Sequence, residues 1–165
     1  MKLKTLFAAA LFVTTTAFAQ TTEKAQTKKI QLPIFTQLVI DAKIDVVLID
    51  DAQPGVIYLV GEPKLFDDIA FKMEKNELQI SAKKDMNYKS RVTLEVHVKE
   101  LAKVSLQKEA LVFSGNTLRS QKINVYIKEG SKASLASTGD INITSEEDTE
   151  LVFLRKTPGV TVVNR

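Results

Sequence analysis

His97 is the only histidine in the sequence, and there is no cysteine and no tryptophan. One imidazole without thiolates does not make up the common zinc ligand sets. A nucleophilic triad would need that histidine held between a hydroxyl and an orienting carboxylate. It sits in the alternating run Thr93, Glu95, His97, Lys99, with Val92, Leu94, Val96 and Val98 between them. That pattern reads as an exposed histidine on the outer face of a strand. The acidic residues offer the other chemistry. Asp41, Asp45, Asp50 and Asp51 lie close together, with Asp67-Asp68 and Glu146-Glu147-Asp148 as two further clusters. None has the alternating oxygen ligands around a glycine bend that a calcium loop requires. A carboxylate pair facing across a cleft would suit a hydrolase of envelope glycans, which stands as the alternative function. The main reading takes these residues as charged turns that discourage edge-to-edge strand pairing. No glycine-rich loop opens a helix to cradle a phosphate. No catalytic residue, metal or cofactor is assigned, and the protein reads as a non-enzyme.

A row of small polar residues carries more information. Ser105, Asn124, Asn142 and Thr161 recur in short alternating segments, with Tyr126 beside them. Spaced about 4.8 Å apart on stacked strands, they would form a flat polar wall able to hydrogen-bond a glycan or another protein. Val160, Thr161, Val162 and Val163 form the last alternating segment before Arg165. They are expected to leave an open strand edge, a surface for self-association or for a partner strand.

Positioning such a wall requires strands that return at a fixed interval. Val104, Ile123, Ile141 and Val160 are separated by 19, 18 and 19 residues, and Phe113, Leu135 and Phe153 interleave them at 22 and 18. Alternation within each segment means strand, and the double recurrence predicts a right-handed parallel β-helix-like solenoid. Upstream, residues 34–41, 43–49, 56–61 and 92–98 also read as strands. Asp50-Asp51-Ala52-Gln53-Pro54-Gly55 suits a type II turn. Residues 62–68 carry the one helical turn, with Pro63 at its first position. Residues 69–80 form a hairpin around Lys75-Asn76, where asparagine would take the left-handed conformation. This antiparallel N-terminal hairpin portion is expected to cap the solenoid.

Lys2 and Lys4, the apolar run 6–13 and Ala17-Phe18-Ala19 make an export signal over residues 1–19. Residues 20–29 read as a flexible leader, and residues 30–165 as a single domain. Without Lys2 and Lys4 the charge is 21 basic against 20 acidic residues, so nucleic acid is not an expected partner. No apolar run reaches the roughly 20 residues of a transmembrane helix. Without cysteine there is neither a disulfide nor a lipid-anchor site, and burial alone must hold the fold.

Over residues 35–160 the chain resembles the auto-transporter adhesin head GIN domain family of exported Bacteroidetes-type proteins. The matching stretches are Phe35-Thr36-Gln37-Leu38-Val39-Ile40, Ile44-Asp45-Val46-Val47-Leu48, Glu77-Leu78-Gln79-Ile80, the strand 92–98 before Leu101-Ala102-Lys103-Val104, and Gly139-Asp140-Ile141-Asn142. Leu151-Val152-Phe153 followed by Pro158-Gly159-Val160 looks like the family's closing turn. Gln107-Lys108 and Glu146-Glu147 stand where relatives often carry Ser-Gly, and relatives often continue past the position of Arg165. The resemblance implies a β-helix-like fold and brings no catalytic residues. It implies an adhesion-type or structural module of the cell envelope, in the periplasm, on the outer-membrane surface or secreted. Its partner would be an envelope or cell-surface protein or a glycan.

Overall fold

The computed structural model describes residues 25–83, 92–128, 130–146 and 160–164. The expected signal (1–19), Phe153 and the closing turn at Pro158-Gly159 lie outside them. Among the described residues the strands are β1 (Gln26–Gln31), β2 (Gln37–Asp41), β3 (Asp45–Asp50), β4 (Val56–Gly61), β5 (Ile69–Glu74), β6 (Glu77–Ala82) and β7 (Thr93–Val98). They continue with β8 (Lys103–Leu106), β9 (Leu111–Ser114), β10 (Lys122–Ile127), β11 (Lys132–Ser134), β12 (Asp140–Ser145) and β13 (Val160–Asn164). One short helix, α1 (Pro63–Phe66), forms where Pro63 favoured it and buries Phe66.

The strands build two open, mixed sheets, and the fold is all-β. The first has the order β1-β4-β7-β3-β9-β11 and the second β13-β12-β10-β8-β2-β6-β5. Among the described residues antiparallel pairing is confined to β1–β4, β4–β7 and β5–β6. The remaining pairs, from β7–β3 to β9–β11 and from β6–β2 to β12–β13, are parallel. From β7 to β12 the chain delivers its strands to the two sheets in turn.

Alternation decides which residues line the core, because a strand shows every second side chain to one face. In the second sheet Leu78, Leu38, Val104, Val125 and Ile143 fall in one cross-strand row, and Ile80, Ile40, Leu106 and Ile127 in the next. In the first sheet Leu59, Leu94, Val46 and Val112 form the matching row. The side chains of these rows are shut off from solvent, save for slight exposure of Ile127 and partial exposure of Ile143 at the thinning end. Each buried side chain of this kind contributes roughly 1.5–3 kcal/mol.

Three sequence expectations change. Residues 26–29 of the expected leader are part of β1, which pairs along its whole length with β4; their polarity reflects an edge strand rather than an unstructured one. In the β5–β6 hairpin it is Lys75, with φ 55°, that takes the left-handed conformation. The Asn76 carbonyl instead accepts hydrogen bonds from the backbone N–H groups of Thr36 and Gln37 at 3.0 and 3.1 Å, and so holds the start of β2. Finally, Phe113 pairs with Ser134 rather than Leu135. That one-residue difference turns Phe113 outward, where it is exposed, and puts Val112 in the core.

Gly55, with φ 87°, supplies the conformation that the Pro54-Gly55 turn required. Gly139 serves a different need at the corner before β12. A Cβ there would overlap the carbonyl oxygens of both Ser120 and Gln121. Because backbone on the preceding corner cannot swing away, Gly139→Ala should lower unfolding free energy by about 2–3 kcal/mol. Chemical denaturation is the check. Gly115→Ala, whose nearest obstacle is the tip of the Ile49 side chain, should cost less.

Candidate functional site

Among the described residues two polar clusters outside the core hold the residues with candidate chemistry. The first joins the end of β3 to the connection between β9 and β10. Asp50 ends β3 with its side chain only 1% exposed. Its Oδ1 accepts hydrogen bonds from Arg119 Nε at 2.8 Å and Nη2 at 2.5 Å, and its Oδ2 accepts from the Arg119 backbone N–H at 2.7 Å. Asn116 completes the clasp, donating from Nδ2 to the Asp50 carbonyl and accepting from the Asp50 N–H, both at 2.9 Å. Burying a carboxylate is tolerable only when it is paired and hydrogen-bonded in this way.

Next to it, Asp51 Oδ2 lies 2.7 Å from His97 Nδ1, and Glu95 Oε1 lies 3.0 Å from His97 Nε2. His97 is buried, contrary to the exposed position expected from alternation. The cause is the cover over the outer face of β7. Tyr58 of β4 packs edge-on against the imidazole with ring centroids 5.4 Å apart, and the 51–55 turn closes over it through the Gly55 N–H to the His97 carbonyl. With both ring nitrogens occupied by carboxylates, His97 has no nitrogen left to activate a hydroxyl. Asp50 is likewise not the surface turn residue expected. Both members of the Asp50-Asp51 pair are committed to cations or ring nitrogens, which leaves their carboxylates as ties between elements. A groove of about 540 Å³ adjoins them, bordered by Ile34, Pro54, Lys99 and Arg119.

The second cluster covers the outer face of β8, β10 and β12. Asn124 and Asn142 stand in register, with Asn142 Nδ2 donating to Asn124 Oδ1 at 3.2 Å. Thr161 continues that row by backbone register. Ser105 does not belong to it. It pairs with Tyr126, and the residue beside Asn124 is Lys103. The step from β8 to β10 is therefore 21 residues, as Val104 opposite Val125 shows, against 18 from β10 to β12. The extra residues lie in the connection pinned by Asp50. A shift of two keeps the same face, so these residues share one face with their rows reassigned. Ser105, Tyr126 and Thr144 now form one row; Lys103, Asn124, Asn142 and Thr161 form the other.

Over these rows runs a groove of about 430 Å³, whose lining includes Lys103, Ser105, Gln107, Tyr126, Lys128 and Thr144. Ser105 is buried and accepts a hydrogen bond from Gln107 Nε2 at 2.5 Å, whereas Tyr126 is 44% exposed. Gln107, Lys103 and Thr144 were not named as site residues from sequence, although the alternation of Lys103, Ser105 and Gln107 puts all three on one face. The strand of the expected open edge, β13, is the last strand of the second sheet among the described residues. Among the described residues no group of three or more His, Asp or Glu is arranged to hold a metal ion.

Two measurements probe the first cluster. Charged hydrogen bonds of this kind couple by about 1.5–3 kcal/mol, so a denaturation cycle of Asp50→Ala, Arg119→Ala and the double variant should return a coupling in that range. Asp51 titrates below the ordinary carboxylate range because it accepts the Gln53 backbone N–H at 2.7 Å and faces His97. The folded state thus releases that proton more readily than the unfolded chain. Ionised Asp51 stabilises the fold above the ordinary carboxylate pKa, and the benefit fades as pH falls through the lowered one. Asp51→Asn should accordingly be less stable than wild type near neutral pH, with the gap closing on acidification.

A family model described as "Putative auto-transporter adhesin, head GIN domain" matches residues 34–154. No curated protein matches the chain. Among solved structures it is similar to a "putative adhesin" from Parabacteroides distasonis ATCC 8503, with 16% identity and TM-score 0.58 over 76% of this chain and 58% of that one. It is also similar to a "putative adhesin" from Parabacteroides merdae ATCC 43184, with 18% identity and TM-score 0.50 over 76% and 57%. For a "putative adhesin" from Bacteroides fragilis NCTC 9343 the values are 15% and 0.55 over 86% and 78%. At these identities the likeness is one of fold, and this chain spans less than two thirds of the first two proteins. With most of its length covered by the family model, the chain belongs to the auto-transporter adhesin head GIN domain family.

Proposed function

We propose that the protein is an exported, non-enzymatic adhesion-type module of the cell envelope, and that the outer face of β8, β10 and β12 is its binding wall. The observation that carries this reading is the register of that face. Two polar rows, Lys103-Asn124-Asn142-Thr161 and Ser105-Tyr126-Thr144, stand side by side on parallel strands, with the asparagines already hydrogen-bonded to each other. Parallel neighbours repeat about every 4.8 Å, so the wall offers polar side chains at a constant pitch to a ligand laid across the strands. Membership of an adhesin family supports the adhesive role.

The delivery of strands to the two sheets in turn supports a short solenoid with its antiparallel strands as a cap. In that arrangement the wall is rigid, because each of its strands is bonded on both sides. The signal-like residues 1–19 support export, with a working domain that begins no later than β1 at Gln26. The partner class is an envelope or cell-surface glycan or protein. The outer edge of β13 would serve self-association.

Arginine at positions 124 and 142 would fill the wall without touching the core. The Asn124→Arg, Asn142→Arg double variant should bind vesicles prepared from the producing cell's own envelope at least about tenfold more weakly, a change of about 1.4 kcal/mol. Its melting temperature should stay within a few degrees of wild type. Undiminished vesicle binding by a folded double variant would remove the wall as the contact surface.

A further inference from the structure

Tyr126 is the one aromatic side chain on the groove among the described residues, and its neighbours explain why it stays exposed. It stands in register between Ser105 of β8 and Thr144 of β12. Both neighbours are short, so on adjoining strands about 4.8 Å away they leave the ring without a large side chain to stack against. The groove extends along the strands from the Lys103 row to the Gln107 and Lys128 row, four residues or about 13 Å. Its volume, about 430 Å³, lies within the range of small-molecule sites.

The polar groups around the ring are prepared for a neutral ligand. Gln107 Nε2 spends one N–H on Ser105 Oγ. Its second N–H, its Oε1 and the Ser105 hydroxyl proton have no hydrogen-bond partner among the described residues. A side-chain amide offers two donors and an acceptor, and a hydroxyl offers both roles, so the pair can give and take hydrogen bonds together. The two lysines do not make the groove an anion trap. Lys103 Nζ lies 3.3 Å from Glu77 Oε2, and Lys128 Nζ lies 4.0 Å from Glu146 Oε1. An exposed aromatic face bordered by hydroxyls and an amide, with the nearby charges answered, suits a molecule with an apolar face and a rim of hydroxyl groups.

We propose that this groove is a subsite for a neutral pyranose unit of an envelope polysaccharide. Tyr126 carries the C–H face of the sugar ring, and Gln107, Ser105 and Thr144 exchange hydrogen bonds with its hydroxyls. This assignment rests on the reading of the outer face as a binding wall and adds the ligand class.

The test is an array of immobilised neutral oligosaccharides built from glucose, mannose, galactose and N-acetylglucosamine, with poly-glutamate as the acidic control, probed with the folded protein. Wild type should be retained on at least one neutral class and not on poly-glutamate. Tyr126→Ala should weaken that retention at least about tenfold, while Tyr126→Phe, which keeps the ring, should stay within about threefold. Retention of Tyr126→Ala at the wild-type level would overturn the proposal, as would an array blank for every neutral sugar or binding to poly-glutamate alone. The two readings fail separately. If the array is blank while envelope vesicles still bind, and the Asn124→Arg, Asn142→Arg variant abolishes that binding, the wall stands and the sugar assignment falls.

Discussion

Register between neighbouring strands is the constraint on which the rest of this structure depends. The core has no disulfide to hold it and consists of cross-strand rows such as Leu78, Leu38, Val104 and Val125. Side chains alternate across a strand, so a slip of one residue would carry a whole apolar set to solvent and its polar set inward. The same alternation builds the outer wall. Ser105, Tyr126 and Thr144 face outward because Val104, Val125 and Ile143 must face inward. Site and core are therefore one pattern seen from its two sides, and neither can be altered in register without the other.

Where the repeat is least regular, a polar contact far away in sequence holds the connection. Asp50 and Arg119 are 69 residues apart, and their clasp, with Asn116, secures the connection between β9 and β10. That connection carries the longer 21-residue step, and the step decides that Asn124 stands beside Lys103 and Tyr126 beside Ser105. Only Asp50 is buried in this pair, Arg119 remaining 66% exposed, and such a pair is weak evidence for net stability. What the contacts do directly is tie the end of β3 to the connection that leads into β10. The neighbouring Asp51-His97-Glu95 tie does similar work for the 51–55 turn.

Much of this was legible in the residues. The clean alternation of Leu94, Val96 and Val98, and of Ile123, Val125 and Ile127, reports strand directly, since burial on one face leaves a period of two. The Pro54-Gly55 turn and the helical turn at Pro63 were legible for backbone reasons, because proline presets φ and glycine accepts a positive one. Pairing was harder. Equal spacing placed Val104 opposite Ile123, whereas Val125 takes that position; spacing measures chain length, and a bulkier connection can absorb two residues without disturbing the face. His97 misled for another reason. Its strand pattern is that of an exposed residue, and only the packing of Tyr58 and the 51–55 turn, both distant in sequence, buries it. The candidate site was half visible: Tyr126 and the asparagines stood out by type, while Gln107 gained meaning only beside Ser105.

Hydroxyl-radical footprinting of the protein, with and without vesicles from the producing cell's own envelope, tests the binding wall most directly. Reduced labelling of Lys103, Gln107, Tyr126 and Lys128, with Phe113 on the opposite sheet unchanged, is the result expected of a wall on β8, β10 and β12. Protection of Phe113 and its neighbours, with Tyr126 labelled as before, would contradict it.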